Sequence, residues 1–146
     1  MNNNKTLRIL VLCTGNSCRS QIAEGFFRYY GGSGVEVFSA GVEPKGVNPR
    51  AVQVMREVGI DISTHSSDYL SKYLSQTFDY IVTVCDKAAA NCPVFPGGGT
   101  KMHWPFEDPA DATGTEEQVL SVFRRIRDEI GTKVKNWLRT TREQAR

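Results

Sequence analysis

Leu7-Arg-Ile-Leu-Val-Leu-Cys13-Thr-Gly-Asn-Ser-Cys-Arg19-Ser20 is the stretch whose reading decides the fold. Its first half is strand-length, apolar apart from Arg8, and bounded by a glycine-containing turn, the pattern of a buried strand. Behind it, Ile22, Ala23, Phe26, Phe27 and Tyr30 recur at helical spacing from Ser20 to Tyr30, and Gly31-Gly-Ser-Gly34 stops the run. Cys13 therefore falls where a strand ends and a helix is about to begin. Open α/β sheets bind ligands outside the carboxyl ends of their strands. Helix N-termini there offer free N–H groups and a partial positive charge. That environment suits an oxyanion, and it also stabilises a thiolate, lowering a cysteine pKa to ~3.5–7.5.

The pattern continues outward from that unit. Val35–Ala40 reads as a second strand. Asn48-Pro49 reads as a cap and first helical residue, followed by Ala51, Val52, Val54, Met55 and Val58 up to Gly59. Ser67–Leu74 is expected to form a short helix, Tyr80–Val84 a third strand and Lys101–Trp104 a short fourth. Thr115-Glu-Glu-Gln118 has capping-box form. Val119, Phe123, Ile126, Ile130, Val134, Trp137 and Leu138 then mark one face of a long C-terminal helix, with Thr140–Arg146 expected to fray. Strands alternating with helices imply parallel strands joined by right-handed crossovers. The expectation is a single α/β domain over residues 1–146.

Composition narrows the function. The 146 residues, 40% of them hydrophobic, suffice for one core without disulfides. No apolar run approaches the ~20 residues of a membrane span, and the polar start Met1–Thr6 does not read as a signal peptide. A net charge of +2, mixed along the chain, gives no nucleic-acid footprint. A cytoplasmic location and no membrane or nucleic-acid partner are the expectation, and in that compartment four cysteines point to catalysis or metal binding.

The loop residues fit oxyanion chemistry. Gly15 is expected to take a positive φ and let the backbone approach a ligand. Arg19 supplies a planar, permanently charged fork. Ser20 is expected to donate to the thiolate, and Asn16 to pin the loop. Cys85 follows the third strand, so it shares the sheet edge with Cys13. Six residues separate it from Cys92, and the intervening Lys87-Ala-Ala-Ala90 favours a short helix. Zinc held by Cys13, Cys18, Cys85 and Cys92 is an alternative, although the gap between Cys85 and Cys92 is wider than the usual ligand spacing. A redox pair is the preferred reading. A disulfide needs Cα atoms roughly 4.4–6.8 Å apart, which unwinding of that helix would permit. His65 and His103 lack metal-like spacing and read as structural.

The run Val11–Gly25 resembles the low-molecular-weight protein tyrosine phosphatase superfamily, and more closely its thioredoxin-coupled arsenate reductases. The resemblance continues through Phe38–Gly41, Gly46–Pro49, Ile60–Ser63, Val82–Cys85, Asn91–Pro93 and His103-Trp104. It implies a four-stranded parallel sheet flanked by helices on both faces. It implies arsenate as substrate, with phosphate or sulfate as mimics, and thioredoxin as electron donor, with no organic cofactor. Thr14, Gly15, Asn16, Ser17, Cys18, Arg19 and Ser20 would bind the oxyanion. Cys13, Cys85, Cys92 and Arg19 would be catalytic, with Asp108 the general acid and Glu107 ranked behind it. Cys18 is expected to be secondary, capable of a local disulfide with Cys13 under oxidation. Asn16, Glu24, Ser39 and Asp68 match a potassium site of some members, against an ordinary hydrogen-bond network behind the loop. Hydrolysis of phosphate monoesters through a phosphocysteine is the competing activity, and a thiol-based sensor a third.

Overall fold

The computed structural model describes residues 6–85 and 94–144. Four parallel strands, β1 (Leu7–Leu12), β2 (Val35–Ala40), β3 (Tyr80–Thr83) and β4 (Thr100–His103), form one sheet in the order β2-β1-β3-β4. Three α-helices, α1 (Arg19–Gly31), α2 (Pro49–Glu57) and α3 (Glu116–Gln144), complete the frame with single 3-10 turns at Gly32–Gly34, Leu70–Tyr73 and Pro109–Asp111.

β1 is central, and Ile9 to Leu12 are fully buried, which is why its sequence is apolar without alternation. Its two faces build different cores. Ile9 and Val11 join residues of all three α-helices in one cluster, including Ile22, Phe27, Val54, Phe123 and Ile130. Leu10 and Leu12 face a smaller cluster with Tyr73, Phe78, Ile81 and Phe95, so the 3-10 turn at Leu70–Tyr73 covers that side. Phe27 shows how the large core is keyed. It stacks on Trp104 at 5.9 Å and meets Trp137 edge-on at 6.0 Å, with no exposure. Truncating such a residue to alanine costs about 3–5 kcal/mol.

Two expectations need correction. Ser67–Leu74 forms only the turn Leu70–Tyr73. The backbone of Asp68 and Leu70 is engaged by Gly41 instead, through Gly41 N–H to Asp68 O and Leu70 N–H to Gly41 O, both 2.9 Å. At the chain end, helix persists through Gln144. Arg142 donates to Gly31 O at 2.6 Å, covering a carbonyl at the end of α1. The caps do follow the sequence. Asn48 accepts from Arg50 N–H at 2.8 Å, and Thr115 and Gln118 exchange side-chain-to-backbone bonds at 2.8 and 3.1 Å. The short helix expected at Lys87–Ala90 lies outside the described residues.

β1 connects to β2 on one side while β3 lies on its other side, so the strand order reverses between β1 and β3. That switch point opens a crevice at the carboxyl ends of both strands. Cys13 follows β1 and Cys85 lies just beyond β3.

Candidate active site

At the crevice lies a cleft of about 700 Å³, lined by Cys13, Thr14, Gly15, Ser17, Cys18 and Arg19 on one wall. Lys45 and Asn48 with Asp108 and Asp111 line the others. A larger groove, about 990 Å³, runs along α3 past Phe106 and Trp137, but no thiol lines it. The chemistry therefore selects the smaller cleft.

Cys13 sits at its base, 4% exposed, with its backbone N–H bonded to Ala40 O at 3.1 Å. Its pKa is pushed down to about 6. A hydrogen bond from the Cys85 thiol is the principal cause, and the Arg19 charge and the Gly15 N–H act the same way against burial and Asp108. At neutral pH this sulfur is a thiolate, the reactive form. Cys85 is fully buried, its Sγ also 4.0 Å from Leu12 O. The two strand ends thus bring residues 13 and 85 to one edge of the sheet, where the Cys85 thiol acts on the Cys13 sulfur. Cys18 behaves oppositely. Burial, then Asp108, pushes its thiol up to about 12, so it stays protonated. It occupies the N-cap of α1 without a side-chain cap bond, and no carboxylate occupies the first turn. The positive end of α1 is therefore unquenched toward the cleft.

Arg19 is 6% exposed. Its Nη1 donates to Phe106 O at 3.0 Å and its Nη2 lies 3.4 Å from Asp108 Oδ2. Its buried Nε–H has no partner among the described residues, which leaves a donor uncommitted beside the cleft. Asp108 is oriented by its own turn, Oδ1 accepting from Ala110 N–H at 3.0 Å. Glu107 turns away to Arg125 at 3.0 Å, so geometry separates the two acids.

Asn16 and Ser20 do not line the cleft. Ser20 Oγ donates to Asn16 Oδ1 at 2.8 Å, so its hydroxyl is spent on Asn16 rather than on the thiolate. The positive φ expected of Gly15 belongs to Asn16, at 45°. Asparagine tolerates that region, and here its side chain is clamped behind the loop. Gln21, which the sequence did not single out, does the clamping. Its Nε2 donates to Asn16 O, Asn16 Oδ1 and Ser66 O at 3.0, 3.1 and 2.9 Å. Ser67 Oγ adds a bond to Asn16 O at 2.8 Å. Gly41 completes the support. A Cβ there would lie 2.5 Å from Thr14 O and 2.7 Å from Cys13 O, so only glycine lets β2 run this close.

His65 is structural in a more specific sense than expected. Its Nδ1–H donates to Gln21 Oε1 at 3.0 Å and its Nε2 accepts from Arg28 at 2.9 Å. Burial pushes its pKa down, in keeping with a neutral ring. His103 Nδ1 lies 2.6 Å from Thr83 Oγ1.

The four potassium candidates gather behind the loop. Glu24, Ser39 and Asp68 line a cavity of about 420 Å³ behind the loop, and Asn16 does not. Asn16 Oδ1 accepts from Ser20 and Gln21, and Asn16 O from Gln21 and Ser67. Glu24 is neutralised by Arg28 at 2.9 Å, and Asp68 takes Ser66 at 2.6 Å with Lys72 at 3.4 Å. Cys92, and with it the second half of the expected thiol pair, lies outside the described residues.

A cysteine of lowered pKa in a loop between the first strand and first helix, with an arginine closing the loop and an aspartate beside it, defines a class. The chain belongs to the low molecular weight phosphotyrosine protein phosphatase family, which it matches over residues 8–146. Within it, the chain is 52% identical over 132 residues to an arsenate reductase of Halalkalibacterium halodurans, covering 90% of this chain and 95% of that protein. A solved arsenate reductase in its phosphate-binding state superposes with a TM-score of 0.79 at 32% identity, covering 92% of this chain and 98% of that one. The thioredoxin-dependent arsenate reductase of Corynebacterium glutamicum superposes with a TM-score of 0.72 at 26% identity, covering 97% of this chain and 64% of that one. Among the described residues, no helix is long and apolar enough to cross a membrane.

Proposed function

We propose that this protein reduces arsenate to arsenite through a relay of Cys13, Cys85 and Cys92, regenerated by thioredoxin. The observation that carries the reading is the placement of Cys13 and Cys85 beyond the ends of adjacent parallel strands, where the Cys85 thiol lowers the Cys13 pKa. A phosphatase needs only the first of these sulfurs. Relatives at about half identity are named arsenate reductases, and a thioredoxin-dependent neighbour supports the reductant.

Arsenate enters the loop, bound by its backbone N–H groups and by Arg19. The Cys13 thiolate attacks arsenic, an S–As bond forms, and Asp108 protonates the departing oxygen, which leaves as water. Cys85 loses its proton and attacks Cys13 Sγ. The S–S bond forms as the S–As bond breaks, and the electron pair stays on arsenic, which leaves as arsenite. Two thiols are oxidised and arsenic gains two electrons. Cys92 then attacks Cys85 Sγ and frees Cys13. The dithiol of thioredoxin reduces the Cys85–Cys92 disulfide and is itself oxidised. Exchange of this kind runs through mixed disulfides and favours a low-pKa thiolate.

Arsenate turnover is assayed with thioredoxin, thioredoxin reductase and NADPH. The native chain cycles, whereas Cys92→Ser stops after one equivalent of arsenite. Repeated cycling by that variant would falsify the relay. The same cradle also favours weak hydrolysis of aryl phosphates through a phosphocysteine, because arsenate and phosphate are both tetrahedral oxyanions. That activity should survive replacement of Cys92.

A further inference from the structure

The cleft in front of Cys13 is poorly balanced for an incoming anion. The Cys13 thiolate, Asp108 and Asp111 all line it, while the loop itself contributes one cation, Arg19. Asp108 already draws on that cation at 3.4 Å. The remaining positive charge among the lining residues comes from the opposite lip. Lys45 lines the cleft and is exposed. Its backbone N–H donates to Gly15 O at 2.9 Å. Its stem lies across the loop, with Cδ and Cγ at 3.4 and 3.6 Å from where a Cβ on Gly15 would stand. Those are van der Waals distances, so the Lys45 stem lies close over Gly15.

Lys45 also differs from the other described lysines. Lys72 pairs with Asp68, Lys101 donates to Gly97 O, and Lys133 and Lys135 sit over Trp104 and Tyr30. Lys45 has no carboxylate, carbonyl or ring partner among the described residues.

We propose that Lys45 is a recruiting residue for the oxyanion: its ammonium attracts the dianion at the lip and offsets the carboxylates there, and Arg19 then binds it. The inference rests on the cleft taking an arsenate-class anion, and it leaves the sulfur chemistry to the cysteines. In water, a unit charge at about 6 Å from a dianion changes its affinity about tenfold at low ionic strength, and less once salt screens it.

Inorganic phosphate is the probe. Its protection of Cys13 against iodoacetamide is followed by mass spectrometry of the Cys13 peptide, in the full-length reduced protein and in Lys45→Ala, Lys45→Glu and Lys45→Arg. The phosphate concentration for half-protection should rise about tenfold in Lys45→Ala at low salt and further in Lys45→Glu. It should return near the native value in Lys45→Arg, and the differences should collapse by about 0.5 M salt. In turnover, KM for arsenate should rise in parallel while kcat stays within about twofold. Unchanged protection in Lys45→Ala overturns the inference and leaves the proposed activity standing. So does a shift that is indifferent to salt, or one that arginine does not rescue. Failure of phosphate to protect Cys13 in the native chain takes down the anion cradle and the role of Lys45 together.

Discussion

The two sides of the Cys13–Arg19 loop are built on opposite rules. Behind it, most polar groups are matched, although the buried Asn16 Nδ2 has no partner among the described residues. Asn16, Ser20, Gln21, Ser67, His65 and Arg28 form one continuous set of hydrogen bonds, and Glu24 is closed off by Arg28 and Ser39. In front, groups are left uncommitted among the described residues: the α1 N-terminus, the Arg19 Nε–H and the Lys45 ammonium. A satisfied network rigidifies its surroundings, whereas unspent donors are what a ligand can use. The back holds the loop in one shape so that the front keeps its charge pattern without reorganising.

The comparison is most sharply tested on the front. Cys13→Ser replaces a thiol of pKa about 6 with an alcohol that does not ionise near neutrality. Turnover should fall by about 10⁴-fold or more while circular dichroism and Tm stay near native values. Asp108→Asn should lower kcat by about 10²–10⁴-fold, the scale of a lost general acid. Glu107→Gln should change it less than about twofold, because Glu107 serves Arg125. Equal losses in the two variants would contradict the separation of roles.

A third test reads the thiol pair without arsenate. Cys13 has a pKa below its ordinary range, so its alkylation should rise with pH through about 6 and then level off. Cys85→Ala removes the main cause of that shift, so the inflection should move upward and the rate at pH 6 should drop about tenfold. An inflection that stays near 6 means that Arg19 and the loop N–H groups suffice alone.

The back should respond in stability first. Gln21→Ala strips donors from buried Asn16 and an acceptor from His65, which should cost about 1–3 kcal/mol in urea unfolding, with a smaller fall in kcat/KM. A loss of activity with no loss of stability would move Gln21 to the front. Far from both sides, Thr115→Ala should cost about 1 kcal/mol as a lost cap and leave turnover unchanged.

Much of this was legible in the chain. β1, the loop and α1 are local in sequence, and their signals are apolar runs, caps and glycine stops acting over a few residues. Cys85 could be placed beside Cys13 because both follow strands of one parallel sheet. The misses have a common origin. Asn16 rather than Gly15 takes the left-handed backbone because Gln21, Ser20 and Ser67 clamp it, and Ser67 arrives from a distant segment. The helix expected at Ser67–Leu74 gave way because Gly41 took its backbone groups. Lys45 carries no motif, and only its path over Gly15 marks it.

By itself, the sequence determined a parallel α/β sheet, a cysteine at the mouth of its central strand and an arginine at the start of the following helix, because such signals depend on near neighbours and on periodicity. Tertiary structure alone decided which residue bends the loop and which lysine lies over it, and it set Asp108 on Arg19 and Glu107 on Arg125. Those choices depend on distances between segments far apart in the chain, and burial and hydrogen bonding set such distances only once the whole molecule has folded.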